Sequence, residues 1–314
     1  MENRKVLLIA GGGTLGSYTS SELLSKGCAV DVICLEDYIS DNPKLRYYKS
    51  NADLNYLTEF LKDKYYDGIV NFIHYTSVDD YKPVHRLLCS KTDQLIFLSS
   101  YRVYADLQHP ITEDAPQLYD ISTDEIFLEK ETYAVPKSKC EHYIREESCT
   151  ANWTIVRPVI SFSERRFDII YPHSVDSIKN HIKENTSILL PKEAKFLTAG
   201  LDWAGNSGKL IANLLFKEKA LGQDFTVSTS QNLTWGEVAD IYTDICGLAF
   251  NWVTLEEYFD ANPELKLNDP WRFIYDRLFD RKIDNSKVLY VTGLNSGDFT
   301  PIKDGIKIEL SKVL

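Results

Sequence analysis

Tyr133 and Lys137 stand four residues apart in "YAVPKSKCE", a spacing that puts both on one helical face. A tyrosine hydroxyl ordinarily titrates near pH ~10, and an ammonium beside it favours the phenolate. The pair therefore suits exchange of a proton with a substrate hydroxyl near neutral pH. "FLSSYRVYAD" (97–106) supplies the pair Ser99-Ser100 at the end of an apolar run, where a serine holds a hydroxyl or carbonyl in line with that base. Tyr-x-x-x-Lys is a weak signal alone in a chain with 19 tyrosines. Its weight comes from order along the chain.

The first element in that order is "LLIAGGGTLGSYT" (7–19), in which Gly11-x-Gly13-x-x-Gly16 follows an apolar run and opens a helical pattern through Thr14 and Leu15. In a strand–turn–helix context, the first glycine permits the turn and the second admits a pyrophosphate to the backbone. The third lets helix and strand pack closely. Free N–H groups at the helix start favour an anion. Glu36 lies at the end of the next apolar run, twenty residues after Gly16; a carboxylate there bonds ribose hydroxyls and repels a 2′-phosphate, which favours NAD over NADP. A phosphate-binding P-loop is excluded, because Ser17-Tyr18 stands where Lys-Ser/Thr is required.

These residues need a scaffold of alternating strands and helices. Strands are predicted at 6–10, 29–35, 68–72, 95–98 and 153–156, with helices near 15–25, 54–62, 81–90 and 138–147. That alternation predicts an α/β Rossmann fold, a doubly wound parallel sheet whose ligands sit at the carboxyl ends of the strands. Pro136 fits the first turn of the last helix. Residues 1–160 are read as the NAD-binding domain and 161–314 as a smaller, partly interleaved substrate-binding region, with a strand near 224–229 returning to the sheet. "SFSERRFDIIYPHS" is expected to be irregular or helical, and "TWGEVADIYTDICG" a helix capped by Thr234 and ended by Gly247. The acidic stretch 113–131 is expected to be a solvated loop with some helix.

Composition narrows the function classes. The 314 residues are 44% hydrophobic and 26% charged, with a formal net charge of -11. That charge argues against a nucleic-acid partner, yet leaves room for an anionic small molecule in a local basic site. Six cysteines (28, 34, 89, 140, 149 and 246) form no C-x-x-C pair and read as reduced thiols in a cytoplasmic protein. There is no apolar run long enough to span a membrane and no secretory signal pattern. His173 and His181, eight apart without carboxylate partners, give no metal site.

The ordered set "GGGTLG", "LSSYRVYADLQHPITEDAP", "YAVPKSKCE", "NWTIVRP" and "DNSKV" resembles the extended short-chain dehydrogenases/reductases, in the NAD-dependent epimerase/dehydratase group, over nearly the whole chain. The resemblance implies that Ser100, Tyr133 and Lys137 are catalytic, with Lys137 also holding the nicotinamide ribose. It implies that Asp53 and Leu54 meet the adenine, and that Phe72, Ile73 and His74 flank the cofactor. It places Lys195 and Asp202 in a substrate-side strand, Lys195 toward a diphosphate. It further implies a nucleotide-diphosphate sugar substrate and a homodimer.

The sequence also departs from that pattern. Ala10 stands where the group's usual fingerprint has its first glycine, Ile73-His74 replace a small pair, and Ile160 replaces an asparagine. Tyr101 and Arg102 occupy the Asp-Glu places of the dehydratases, which disfavours elimination of water. Arg165, Arg166, Arg272, Arg277 and Arg281 have the forked donors a diphosphate needs, although surface pairing is the commoner role for arginine. Tyr101, Arg102, Lys195, Arg272 and Arg277, with Ser100, are the expected substrate contacts. "WRFIYDRLF" is expected to be helix core. The expected activity is oxidation at a sugar hydroxyl, at C4, as an epimerase or dehydrogenase. A non-catalytic relative that binds NAD or RNA is the alternative, since "VNFIHYTSVDDY" and "SSYRVYAD" are similar to a branch related to stem-loop RNA-binding proteins.

Overall fold

The computed structural model describes residues 3–148, 150–268 and 270–314; Cys149, read above as a thiol, lies outside the described residues. The chain runs β1 (Lys5–Ile9), α1 (Thr14–Ser25), β2 (Ala29–Cys34), β3 (Leu45–Lys49), α2 (Leu54–Phe60), β4 (Gly68–Asn71), α3 (Val78–Cys89) and β5 (Leu95–Leu98). It continues with α4 (Leu118–Ile121), α5 (Glu125–Lys130), α6 (Ala134–Glu147) and β6 (Trp153–Pro158). Next come the short strands β7 (Ile160–Phe162), β8 (Phe167–Ile169) and β9 (Tyr171–His173), then α7 (Val175–Glu184), β10 (Ser187–Pro191) and β11 (Leu201–Trp203). The chain closes with α8 (Ala204–Leu214), β12 (Gln223–Val227), α9 (Trp235–Cys246), β13 (Ala249–Val253), α10 (Leu255–Ala261), α11 (Pro263–Asn268), α12 (Ser286–Thr292) and α13 (Ile302–Ser311).

Seven strands form one parallel sheet in the order β12-β6-β5-β4-β1-β2-β3. The central strand explains why it is central: Val6, Leu7, Leu8 and Ile9 are all fully buried, as a strand covered on both faces must be. The order reverses between β1 and β4, which opens a crevice at their carboxyl ends. This is a Rossmann-type α/β fold, and the late strand β12 extends it beside β6.

Residues after 160 are thus woven into the first layer as well as forming a second. Helix α8 lies against α1 so closely that a Cβ on Gly208 would stand 2.7 Å from the Thr19 backbone nitrogen. The second layer has its own core, in which Phe162, Phe167, Ile169, Trp235, Tyr242 and Phe273 are buried together. Helix α9 has the expected ends: Thr234 and Glu237 form a reciprocal capping box, and Gly247 closes it at φ 73°.

Two local expectations change. "SFSERRFDIIYPHS", with Ile160 before it, forms β7, β8 and β9, and Ile160, Phe162, Phe167 and Ile169 bury into the second core. The acidic stretch 113–131 carries α4 and α5, but its end residues turn inward. Glu113 accepts the Thr226 N–H at 2.7 Å, and Glu131 is buried at the start of α6. Among the described residues, Cys28, Cys34, Cys89 and Cys140 are buried and Cys246 is half-buried. Among the described residues, no helix is long and apolar enough to cross a membrane.

Candidate active site

A cleft of about 670 Å³ opens at the β1/β4 crevice. Gly13, Thr14, Leu15 and Gly16 line one wall, and Ser100, Tyr101, Arg102 and Tyr133 face it from the β5 side. A second cavity of about 320 Å³ adjoins it beyond β2 and includes Glu36, Ser50, Asn51 and Ala52. Ala10, Gly13, Phe72 and His74 border both, so the two are continuous, and Ile73 borders the second.

The glycine turn has a physical division of labour. A Cβ on Gly16 would collide with the Gly11 carbonyl, so only glycine lets α1 start so near β1. Gly13 is the N-cap of α1 and has nothing within 4 Å of its Cβ position, an open approach to the helix start. Gly11 does not line the cleft; its Cβ position faces Leu8 at 2.7 Å and Val32 at 3.1 Å, inside the fold. The left-handed position of the turn belongs to Ala10, at φ 55°. Arg165, on the turn between β7 and β8, reaches across and donates to the Gly12 carbonyl at 2.6 Å.

The polar residues on the other wall are positioned by helix ends. Ser100 caps a short 3-10 turn, its Oγ accepting the Arg102 N–H at 3.2 Å. Tyr133 is the N-cap of α6, and Glu131 Oε2 accepts the N–H groups of Tyr133 and Val135, each at 2.9 Å. One helical turn on, Lys137 is buried beneath the cleft; its ammonium donates to the Leu98 carbonyl and lies 6.0 Å from the Tyr133 ring centre. Burial lowers the Lys137 pKa to about 8, although Glu141 nearby pulls it the other way.

His74 crosses from β4 to the segment before α6. Its Nε2 is 2.8 Å from the Thr132 carbonyl, which requires the proton on that nitrogen. The imidazole ring lies 5.0 Å from the Tyr133 ring. Burial, with Lys137 and then Arg102 nearby, lowers its pKa, and so keeps it neutral at pH 7.

Arginines dominate the far wall, where Arg166, Arg272 and Arg277 join Arg102 around Trp271 and Asn268. Two buried carboxylates organise them. Asp276 accepts the Tyr101 hydroxyl at 2.6 Å and pairs with Arg277, and lies 3.4 Å from both Arg102 and Arg281. Asp168 pairs with Arg166 at 2.6 Å and Arg277 at 3.1 Å. Burial raises both carboxyl pKa values, but the guanidiniums more than offset it and leave both below the usual range. Burial, reinforced by Asp276, pushes the Tyr101 hydroxyl up.

Several sequence expectations place differently. Asp53 caps α2 by accepting the Tyr56 N–H at 2.9 Å, and neither it nor exposed Leu54 lines either of these two cavities. Lys195 also lies outside both cavities, with its ammonium 5.3 Å from the Trp252 ring. "WRFIYDRLF" holds a kinked π-type turn, so Phe273 enters the core while Trp271 and Arg272 face the cleft. Arg166, Trp271, Asp168, Asp276 and Glu131 were not singled out by motif. Arg166 stood only as one of several arginines, Trp271 only as part of an expected core helix and Glu131 only as the end of an acidic stretch; Asp168 and Asp276 had no signal, because the fold joins them to residues more than a hundred positions away.

The sheet order and the strand-end cleft define a Rossmann-type α/β fold with a ligand-sized crevice at its reversal point. No family model matches the chain, and no curated protein matches it. Solved structures do. The UDP-N-acetylglucosamine 4-epimerase of Methanobrevibacter ruminantium M1, in complex with UDP-N-acetylmuramic acid, aligns at 16% identity over 100% of this chain and 97% of its own, with a TM-score of 0.68. The Bordetella bronchiseptica enzyme WbmG, in complex with NAD and UDP, aligns at 16% identity over 99% and 94%, with a TM-score of 0.71. The UDP-N-acetylglucosamine 4-epimerase from Bacillus cereus aligns at 16% identity over 99% and 98%, with a TM-score of 0.69.

Proposed function

We propose that this chain is an NAD-dependent nucleotide-sugar epimerase, working at the C4 hydroxyl as a cytoplasmic homodimer. One observation carries the reading: Ser100 and Tyr133 face the same cleft as the glycine turn, at the reversal point of the sheet. The cradle suits a dinucleotide. Gly13 leaves the start of α1 open to a diphosphate, and Glu36 borders the adjoining cavity, where a ribose would meet its carboxylate. NAD, when bound, supplies the acceptor for the hydride of the sugar carbon and the donor that returns it.

The chain's own residues handle the proton. Tyr133 takes it from the sugar hydroxyl and gives it back, while Ser100 Oγ donates to the same oxygen. Lys137 below and Arg102, 4.9 Å from the ring centre, put positive charge where negative charge develops during that transfer. Arg166 and Arg272 suit the diphosphate of the sugar nucleotide.

The test is to load the purified protein with NAD and follow interconversion of UDP-N-acetylglucosamine with its C4 epimer, and of UDP-glucose with UDP-galactose. Tyr133→Phe should lower kcat by roughly 10²- to 10⁴-fold with an unchanged unfolding midpoint. Full turnover in that variant rules out the acid/base role, and failure to bind NAD rules out the reading as a whole.

A further inference from the structure

Resting on that reading, we propose that the sugar of the substrate carries a carboxylate, and that Arg102 receives it. The chain as a whole is acidic, at -11, yet the cleft wall concentrates the opposite sign. Five guanidiniums (Arg102, Arg166, Arg272, Arg277 and Arg281) gather around three carboxylates (Glu131, Asp168 and Asp276).

Arg102 differs from its neighbours in how its donors are engaged. Arg277 donates at 2.6 Å to the Ile170 carbonyl and at 3.0 Å to the Tyr101 hydroxyl, besides its carboxylate partners. Arg281 donates to the carbonyls of Tyr104 and Tyr275 at 2.9 and 3.1 Å. Arg102 makes one side-chain hydrogen bond, to Glu131 at 3.5 Å. Its Nε, like that of Arg281, is buried with no hydrogen-bond partner, 3.4 Å from Asp276, but Arg281 has two carbonyl acceptors besides. Charge-assisted bonds are ordinarily about 2.7–2.9 Å, so both contacts are loose. Glu131, for its part, is occupied with capping α6. A guanidinium 12% exposed at a cleft surface, with donors left over, costs free energy that an anionic ligand recovers.

Position selects the anion. Arg102 stands two residues after Ser100 and beside the Tyr133 ring, at the reacting end of the cleft, where the sugar must lie for Tyr133 to act. Arg166 and Arg272 come from the segments that follow β7 and α11 and line the far wall of the cleft, away from Ser100 in the chain. A planar carboxylate on the sugar matches the guanidinium fork with two parallel bonds. A neutral hexose leaves that fork unanswered.

The experiment measures affinities of the NAD-loaded protein for UDP, UDP-glucose, UDP-galactose, UDP-glucuronate and UDP-galacturonate, and for GDP-mannose against GDP-mannuronate. It uses the wild type, Arg102→Met and Arg102→Lys. In the wild type the uronates should bind on the order of 10- to 100-fold tighter than the matching hexoses. Arg102→Met should bring that ratio close to one, and Arg102→Lys should restore part of it, which a folding defect would not do. Equal affinity for uronate and hexose in the wild type, or a ratio preserved in Arg102→Met, overturns the proposal while the nucleotide-sugar reading stands. Binding of neither nucleoside diphosphate nor any sugar nucleotide overturns that reading and this proposal together.

Discussion

The ammonium of Lys137 is tied to the carbonyl of Leu98, the last residue of β5, and so the helix that carries Tyr133 is fastened to the strand that leads to Ser100. One bond couples the two elements whose relative placement decides whether proton and hydroxyl meet. The same burial that makes the bond strong also makes the charge titratable near physiological pH.

Because the Lys137 pKa is lowered to about 8, the ammonium gives way to the amine as pH rises through that value. With NAD saturating, kcat/KM for the sugar nucleotide should fall on the alkaline side with an apparent pKa near 8, tending to about tenfold per pH unit. Stability responds in the opposite sense. Between about 8 and ~10.4 the unfolded chain holds this proton and the folded one has lost it, so the contribution of Lys137 to stability rises with pH. Thermal unfolding measured beside kinetics separates the two effects. A flat kcat/KM profile from pH 7 to about 9.5 contradicts the assignment.

Gly16→Ala tests the turn. The added methyl would lie against the Gly11 carbonyl, which is backbone in the middle of the fold and has nowhere to retreat. The expected cost is about 1–3 kcal/mol of stability in urea unfolding, with weakened NAD binding as α1 is pushed from β1. At Gly13 the space is open, so Gly13→Ala should fold with near-normal stability and lose NAD affinity through the approach of the diphosphate. Equal stability losses for the two variants would contradict this division.

Much of this architecture was legible because the informative runs are local. Strand β1 is apolar at every position from Val6 to Ile9, and the glycines, Thr234 and Gly247 act through their immediate neighbours. Strand β3 escaped notice: "LRYYK" is a half-exposed edge strand without a clean alternation. β7, β8 and β9 have three residues each, too short for a period to emerge. Ser100, Tyr133 and the glycine turn could be anticipated from order along the chain. The pairing of Arg102 with Asp276 could not, since it depends on a turn 174 residues later in the chain, formed where a kink frees Arg277 to face Tyr101. Asp53 is a different case: its helix-capping role was available in the sequence, in the motif "DLNYL", and its carboxylate accepts the Tyr56 N–H.

Acid should weaken the protein through buried carboxylates, and Glu141 carries the test. It is fully buried and bonded to Arg157 at 2.6 and 2.9 Å; Arg157 is itself fully buried, beside Asp224 and the Tyr104 hydroxyl. Burial raises the Glu141 pKa, but Arg157 outweighs it and brings it to about 2. An unfolded glutamate titrates near ~4.3, so between that pH and about 2 the unfolded chain takes up a proton that the folded chain refuses. The stabilisation is therefore full above pH ~4.3 and is lost as pH falls toward 2. Glu141→Gln leaves Arg157 without its main counter-charge and should cost about 3–5 kcal/mol at pH 7. The slope of unfolding midpoint against pH between about 4.5 and 2.5 should be shallower in that variant, because one of the responsible protons is gone. A midpoint at pH 7 unchanged from the wild type would mean that the Glu141–Arg157 pair does not hold β6 to α6.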